Sequence, residues 1–443
     1  MPPVYRGPFG KPQAERLLWR VGFGPRRGEA ERLARLGLDG AVRHLTRLGR
    51  DRLKGPKPHD GDGRRLAPLD RWGHDQLWWL DRMVRTTRPL HERMTLVWHD
   101  WFATSRDGVD SARLMLNQNR LFRRRSLGSF PALLLEVTRD PAMLLWLSGV
   151  DNTKDSPNEN YARELMELFT LGAGRGYTER DVREHARALT GWRNAWDDNL
   201  GPVRFRYDRR RHDAGTKRIF GKRGRFDWRD SCRLCVHHRL HPSFFVTKLW
   251  GYFIPVPPRA GTKRALQRLY VRSGYQIRPV VEAILRHPAL YTGPRMVKPP
   301  AVYVAGLLRG LDRGIDTEAW TWLMGLAGQE LFYPPNVAGW DDTCWLDTAT
   351  FRARWAIAAY AMRPRMLKEN EKHVPHHADR LLERARALLG EPTLTGATEA
   401  ALQRFARRAL ADADASWKKR AYPPLIENAL RQLLATSPDL QTG

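Results

Sequence analysis

Apolar residues recur three and four positions apart along most of this chain, and that period commits it to helices. Ala14–Val21, Arg27–Leu36 and Asp39–Thr46 read as short amphipathic helices, and Trp72–Thr104 as two helices parted near Pro89. Ser111–Arg125, Phe130–Thr138 and Pro141–Ser148 continue the series, with Pro131 and Pro141 suited to a first helical turn. The pattern returns in His241–Phe253, Thr262–Ser273, Ile277–Arg286 and Met296–Leu311. Three later segments, Ala378–Leu389, Ala397–Leu410 and Pro423–Thr436, are separated by Gly390-Glu-Pro and Tyr422-Pro-Pro. The period lapses at Arg47–Pro68, which predicts a mobile loop, and at Leu331–Asp347, a Pro/Gly/Trp loop. Short alternating segments at Val203–Tyr207 and Arg218–Phe220 predict one small hairpin. The expected fold class is mainly α: an irregular multi-helix globular domain over residues 12–365 with a small β-hairpin, and a C-terminal helical appendage over 366–443.

Composition supports a packed protein and removes several alternatives. Hydrophobic residues make up 42% of the 443, including 17 Trp, enough for a sizeable core. No apolar run approaches the roughly 18–20 residues of a membrane span. The N-terminus shows no basic start followed by an apolar stretch, so no signal peptide is read and a cytoplasmic location is expected. Three cysteines exclude a disulfide framework.

The formal charge is +28, which attracts polyanions. Of the 76 basic residues 63 are Arg, a bias that codon composition explains as well as phosphate contact does. The densest runs are Arg120–Arg125, Arg204–Arg211 and Lys217–Arg225, the last two interleaved with Phe205, Tyr207 and Phe220. No zinc-finger, homeodomain, RNP or basic-zipper pattern accompanies them.

Ser156–Gly172 (SPNENYARELMELFTLG) is the most informative stretch. Ser156 and Glu159 have capping-box spacing and Pro157 takes the first helical position, which predicts a helix start there. On a regular helix Asn160, Arg163, Glu164 and Glu167 share one stripe about 100° wide. That stripe reads either as a solvated face with an Arg163–Glu167 ion pair, or as a polar face turned inward with carboxylates for a metal or a proton transfer. In Gly176–Trp192 Thr178 caps a second helix, Arg180, Glu184 and Arg187 share its polar side, and His185 reads as a packed histidine. The dipeptides His99-Asp100 and His212-Asp213 supply ligand types for zinc, manganese or iron. Cys232 and Cys235, followed by His237, His238 and His241, supply zinc-ligand types at a spacing too compressed for a finger. Walker, GxSxG and HExxH signatures are missing.

The chain resembles the bacterial domain-of-unknown-function 1800 family. The resemblance runs in order through LLWRVGFGP (17–25), LVWHDWFATS (96–105), LGSFPALLLEVTRDPAMLLWL (127–147), PNENYARELMELFTLG and GYTERDVREHARALTGW. It continues through HDAGTKRIFG (212–221), HPSFFVTKLWGYFI (241–254), VKPP (297–300) and FYPPNVAGWDDTCWL (332–346). It implies one mostly helical domain and no established reaction. Genes of the family often lie beside a family resembling the alkaline phosphatase and sulfatase superfamily, which implies a partner protein from a neighbouring gene. Polar residues inside these blocks suggest a cleft in which Glu164 and Glu167 are base or metal ligands, and His99, His212 and Asp213 are ligands or acid. Asn158, Asn160, Arg163, Lys217 and Glu184 would hold an anionic or polymeric substrate for hydrolysis or transfer assisted by a divalent metal. The alternatives are a non-enzymatic basic module for nucleic acid or another polyanion, and a scaffold for a neighbouring enzyme.

Overall fold

In the computed structural model, which describes residues 2–443, helices make up 56% of the chain. Among the described residues the sheets are two separate antiparallel hairpins, and no helix is long and apolar enough to cross a membrane. The mainly α class read from periodicity is therefore the observed one. Packing divides the chain into two units that interleave along the sequence. One comprises 2–5, 91–290 and 332–340 of the described residues; the other comprises 6–90, 291–331 and 341–443.

Several local expectations change. The single expected hairpin is two: Trp192–Asp197 pairs with Gly201–Tyr207, and Lys217–Ile219 with Lys222–Gly224. The first strand begins where the Gly176–Trp192 helix was expected to end, because the Glu179–Ala188 helix stops before Gly191, whose φ is +117°. A Cβ at Gly191 would lie 2.8 Å from the Tyr207 ring, so the turn into the strand needs glycine for both its backbone and its space. Pro423 and Pro424 do not break the C-terminal helix, which runs from Ser416 to Ala435. The donors they lack would bond the carbonyls of Lys419 and Arg420, two exposed residues whose carbonyls water can serve. The 47–68 segment is irregular as expected but is pinned at its middle. Fully buried Asp60 accepts from the Asp62 and Arg64 amides at 3.1 and 2.7 Å and pairs with Arg71 at 2.5 Å.

In the first unit the expected capping box at Ser156 does not form. Asn152 Oδ1 accepts the Asn158 amide and Asn158 Oδ1 accepts the Asn160 amide, both at 2.9 Å, so the helix starts at Asn160. It is α-helical only to Glu164 and continues as a π-helix over Leu165–Thr170. The amides of Leu171 and Gly172 both return to the Met166 carbonyl, at 2.8 and 3.1 Å. The last carbonyls of the widened turn are taken by side chains instead. Lys248 Nζ donates to Leu168 O at 3.0 Å, Trp101 Nε1 to Phe169 O at 3.1 Å, and His241 Nδ1 to Thr170 O at 3.0 Å. The Tyr270 hydroxyl bonds the other His241 nitrogen at 3.0 Å. These caps come from the Pro89–Trp101 and His241–Gly251 helices and sit beside the buried rings of Trp98, Phe102, Phe130 and Phe245.

The second unit is held by buried cations. Lys298 lies 3.6 Å from the Trp19 ring centroid and donates to Leu440 O at 2.8 Å. Fully buried Arg354 donates to the carbonyls of Trp345 and Lys298, each at 2.7 Å, and to Gln441 Oε1 at 3.0 Å. The segment after residue 366 thus supplies part of this unit's interior.

Trp101→Phe keeps an aromatic ring but removes one cap, leaving the Phe169 carbonyl bare and part of the indole's buried volume unfilled. The expected outcome is a loss of about 1–3 kcal/mol in denaturant unfolding, the cost of a buried unsatisfied acceptor; an unchanged midpoint would show that the caps do not support the fold.

Candidate functional site

The polar residues singled out in the sequence all lie in the first unit, where they form two ionic networks. Arg163 stands at the centre of the first. It donates to both oxygens of Glu179, at 3.0 and 2.8 Å, to Glu159 at 3.1 Å and to Glu167 at 3.4 Å. Its hydrogen bonds to Glu179 and Glu167 raise its pKa further and hold Glu179 below the usual carboxylate range. Glu164 stands apart from this clamp. It is half-buried, accepts no hydrogen bond among the described residues, and its pKa is raised by burial first and then by Glu167. Asn158 and Asn160 shape the turn into this helix through the amide bonds described above, and Asn160 Nδ2 reaches Ser148 at 3.5 Å.

Arg187 centres the second network. It donates to Asp213 at 2.7 Å and to Glu184 at 2.9 Å, and the second Glu184 oxygen accepts the Arg218 amide at 2.6 Å. Lys217 has a buried side chain whose amine donates to the Asp213 and Gly215 carbonyls and stands 3.9 Å from the Asp213 carboxylate. His212 Nδ1 donates to the Thr190 carbonyl at 3.0 Å, which leaves Nε2 as its basic nitrogen. Burial lowers the His212 pKa. Arg163 and Lys217, the expected anion binders, therefore donate inward to protein oxygens. Arg187, Glu159 and Glu179 complete the networks and were missed as partners; the three-residue spacing of Glu184 and Arg187 was the available signal.

The remaining candidates lie in other surroundings. His99 is fully buried against Phe122, Phe332 and Trp340, with its pKa pushed down to about 3 by burial, and so stays neutral. Its neighbour Asp100 accepts the Trp340 amide at 2.8 Å and the Tyr252 hydroxyl at 2.6 Å, tying down the 332–340 loop. Cys232 and Cys235 lie on the buried face of the Trp228–Val236 helix, while His237 is exposed and bonds Arg233 O at 2.9 Å. Helical spacing thus sends the thiols inward and His237 outward. Cys232 Sγ meets Thr138 Oγ1 at 3.1 Å, with its pKa pushed up to about 12 by burial. Half-buried His238 packs against Phe220. His185 and Ser231 make a 2.5 Å hydrogen bond, but both are fully buried, so this pair is closed to substrate.

Among the described residues, one group of metal-ligating types converges within 4.8 Å: Asp60, His74 and Glu318, in the second unit. Its donors are already engaged. His74 Nδ1 accepts the Ala67 amide at 3.0 Å, which places the ring proton on Nε2, facing Glu318 at 3.6 Å. Glu318 also accepts the Gly61 amide at 3.0 Å, and Asp60 carries the three contacts given above. The arrangement clamps the loop, since Asp60 and Glu318 both hold its backbone amides.

The basic runs separate into two kinds. In Arg120–Arg125 the charge is spent internally: Arg123 pairs with Glu92 at 2.7 Å, and Arg124 and Arg125 reach Glu136 at 3.0 and 2.9 Å. On the hairpins, Arg204, Arg206, Arg209, Arg210, Arg218, Lys222, Arg223 and Arg225 are exposed, and none forms a side-chain ion pair among the described residues. Trp196 is 72% exposed beside them, with Phe205 and Tyr207 half-buried. The scaffold beneath is fixed: Trp192 packs on Tyr207 and Trp228, Arg113 donates to Pro202 O at 2.9 Å, and Asp181 accepts the Phe220 amide at 2.7 Å.

Comparison with known families places residues 16–442 in the family described as Protein of unknown function (DUF1800), and the chain belongs to it. The match continues through the C-terminal helices. No curated protein and no solved structure matches the chain.

Two pH effects follow from the buried groups. His185 and His241 have pKa values lowered to about 3 and about 4 by burial, so the unfolded chain binds more protons between those values and its own histidine range near 6.5. The stability that these two histidines contribute is therefore expected to fall as pH drops from about 6.5 toward 4. His241→Gln should flatten that slope in unfolding titrations, and an unaltered slope would contradict it. Glu164 has the opposite sign: its raised pKa makes ionisation unfavourable in the folded state. Glu164→Gln is expected to unfold no more easily than the parent at pH 7, with any gain vanishing below pH about 4; a marked loss at pH 7 would reveal a structural role.

Proposed function

We propose that this member of the DUF1800 family binds a polyanionic chain, with single-stranded nucleic acid as the form its aromatic residues favour, through the hairpin surface between residues 192 and 225. The observation that carries this reading is the contrast between spent and unspent charge. The eight hairpin cations remain available to phosphates, whereas Arg163, Lys217 and the Arg120–Arg125 run are engaged with protein oxygens. Exposed guanidinium groups offer paired donors to phosphate oxygens, and an exposed Trp196 offers a face on which a base can stack. Metal-assisted hydrolysis draws less support, because the candidate carboxylates Glu167, Glu184 and Asp213 are committed to arginines and only Glu164 is left without a donor.

The test is fluorescence anisotropy of a labelled oligonucleotide across a salt series. Engagement of about five phosphates predicts a log–log slope near −3.5, at about −0.7 per phosphate for a single strand. Replacing Arg204, Arg206, Arg209 and Arg210 by Gln should make the slope shallower by nearly 3 on the same rule. Trp196→Ala should weaken nucleic acid about tenfold or more while leaving heparin binding unchanged. Salt-insensitive binding, or equal binding by the quadruple variant, contradicts the proposal.

A further inference from the structure

The Thr348–Met362 helix is apolar on both sides. Ala353, Ile357, Ala358 and Ala361 face inward. At the helical angle, Phe351, Trp355 and Ala359 form a second stripe about 80° wide on the solvent side. Phe351 is 39% and Trp355 42% exposed, and Arg352 is the one charged side chain on that outer face. A surface helix ordinarily presents polar residues outward, so an apolar outer face marks a surface that something covers.

The stripe leads into a groove of about 260 Å³ lined by Trp355, Ala359, Met362, Met366, Ala429 and Gln432. Its walls are fixed in place. The Asn428 side-chain amide accepts the Leu367 amide at 3.0 Å and donates to the Leu367 carbonyl at 2.8 Å, and Gln432 Nε2 donates to Trp355 O at 2.9 Å. Met366 stands 60% exposed at the lip, and two methionines give the groove an adaptable, polarisable lining. No carboxylate lines it, and Arg352, Arg363 and Arg365 are exposed on its helix and the turn that follows, without ion pairs among the described residues.

We propose that this groove receives one amphipathic helix of an acidic partner protein. Apolar side chains at i, i+4 and i+7 of that helix enter along Trp355, Met362 and Met366, and its acidic flanks face Arg352, Arg363 and Arg365. Charge complementarity selects this occupant. A second copy of the chain would bring the same three arginines, and a net charge of +28, against themselves. A concave groove with fixed walls suits a row of side chains better than a lipid surface.

The experiment titrates the full chain with two side-chain-stapled helical peptides of about four turns. Both carry Leu at i, i+4 and i+7; one has Glu flanks and the other Lys flanks, and binding is read by calorimetry. The Glu peptide is expected to bind and the Lys peptide to bind at least tenfold more weakly. Trp355→Ala, or Met366→Asp at the exposed lip should Trp355→Ala melt early, is expected to weaken the Glu peptide about tenfold or more. Equal affinity for both peptides, no binding, or indifference to both variants overturns the proposal. So does a Trp355-dependent dimer in sedimentation velocity. Binding to phosphatidylglycerol vesicles without binding to either peptide overturns it in favour of a lipid surface.

Discussion

Three side chains that cap the end of one π-helix organise the first unit. Widening the turn at Leu165–Thr170 hands the carbonyls of residues 168, 169 and 170 to side chains, the last two in a buried aromatic interior. A bare carbonyl there would cost more than any one aromatic contact returns. Lys248, Trp101 and His241 each satisfy one, and each arrives on a helix far away in sequence. Burial lowers the Lys248 pKa to about 8 and that of His241 to about 4, so both cations are weakened by the environment that needs their donors. The histidine serves in its neutral form, donating from Nδ1 while Tyr270 bonds Nε2. This explains why WHDW, ELMELFTLG and HPSFFVTKLW occur as separate blocks of one sequence: they meet at a single helix end.

The same requirement governs the ionic networks around it. Arg163 and Arg187 sit at helix positions where sequence spacing alone permits either a solvated pair or a ligand site. Packing brings Glu179 and Asp213 to them across the fold. Charges so engaged cost little to keep half-buried and are poorly placed to recruit a ligand. The hairpins, by contrast, carry eight exposed cations that form no side-chain ion pair among the described residues. The densest basic runs differ in consequence: Arg120–Arg125 is paired locally, while Arg204–Arg211 and Lys217–Arg225 hold the exposed hairpin cations.

Helix content was legible in the sequence because a 3.6-residue apolar period survives any tertiary arrangement. The Glu179–Ala188 helix, with its Thr178 and Asp181 capping box, was readable for that reason. The π turn was not, since Leu165–Thr170 has an ordinary helical pattern and its register depends on caps from residues 101, 241 and 248. Ser156 and Glu159 have the right spacing for a box, yet the helix starts at Asn160, three residues after the expected Pro157, where Asn152 from outside the motif holds the entering turn. Pro423 and Pro424 looked like a break because the exposure of the carbonyls they abandon is a tertiary fact. The polar candidates were legible as a group: residue type identified Arg163, Lys217 and His99, while the oxygens that Arg163 and Lys217 meet depend on packing and could not be read from spacing.

The central claim is the proposal that a polyanionic chain binds on the two hairpins, where eight exposed cations form no side-chain ion pair among the described residues. Photo-crosslinking of a uridine-substituted oligonucleotide to the full chain, followed by peptide mass spectrometry, tests that placement directly. The account predicts adducts confined to peptides covering residues 192–226, with Trp196 among the modified residues. Adducts concentrated in the 113–139 peptides around the Arg120–Arg125 run, or spread evenly along the chain, would contradict it.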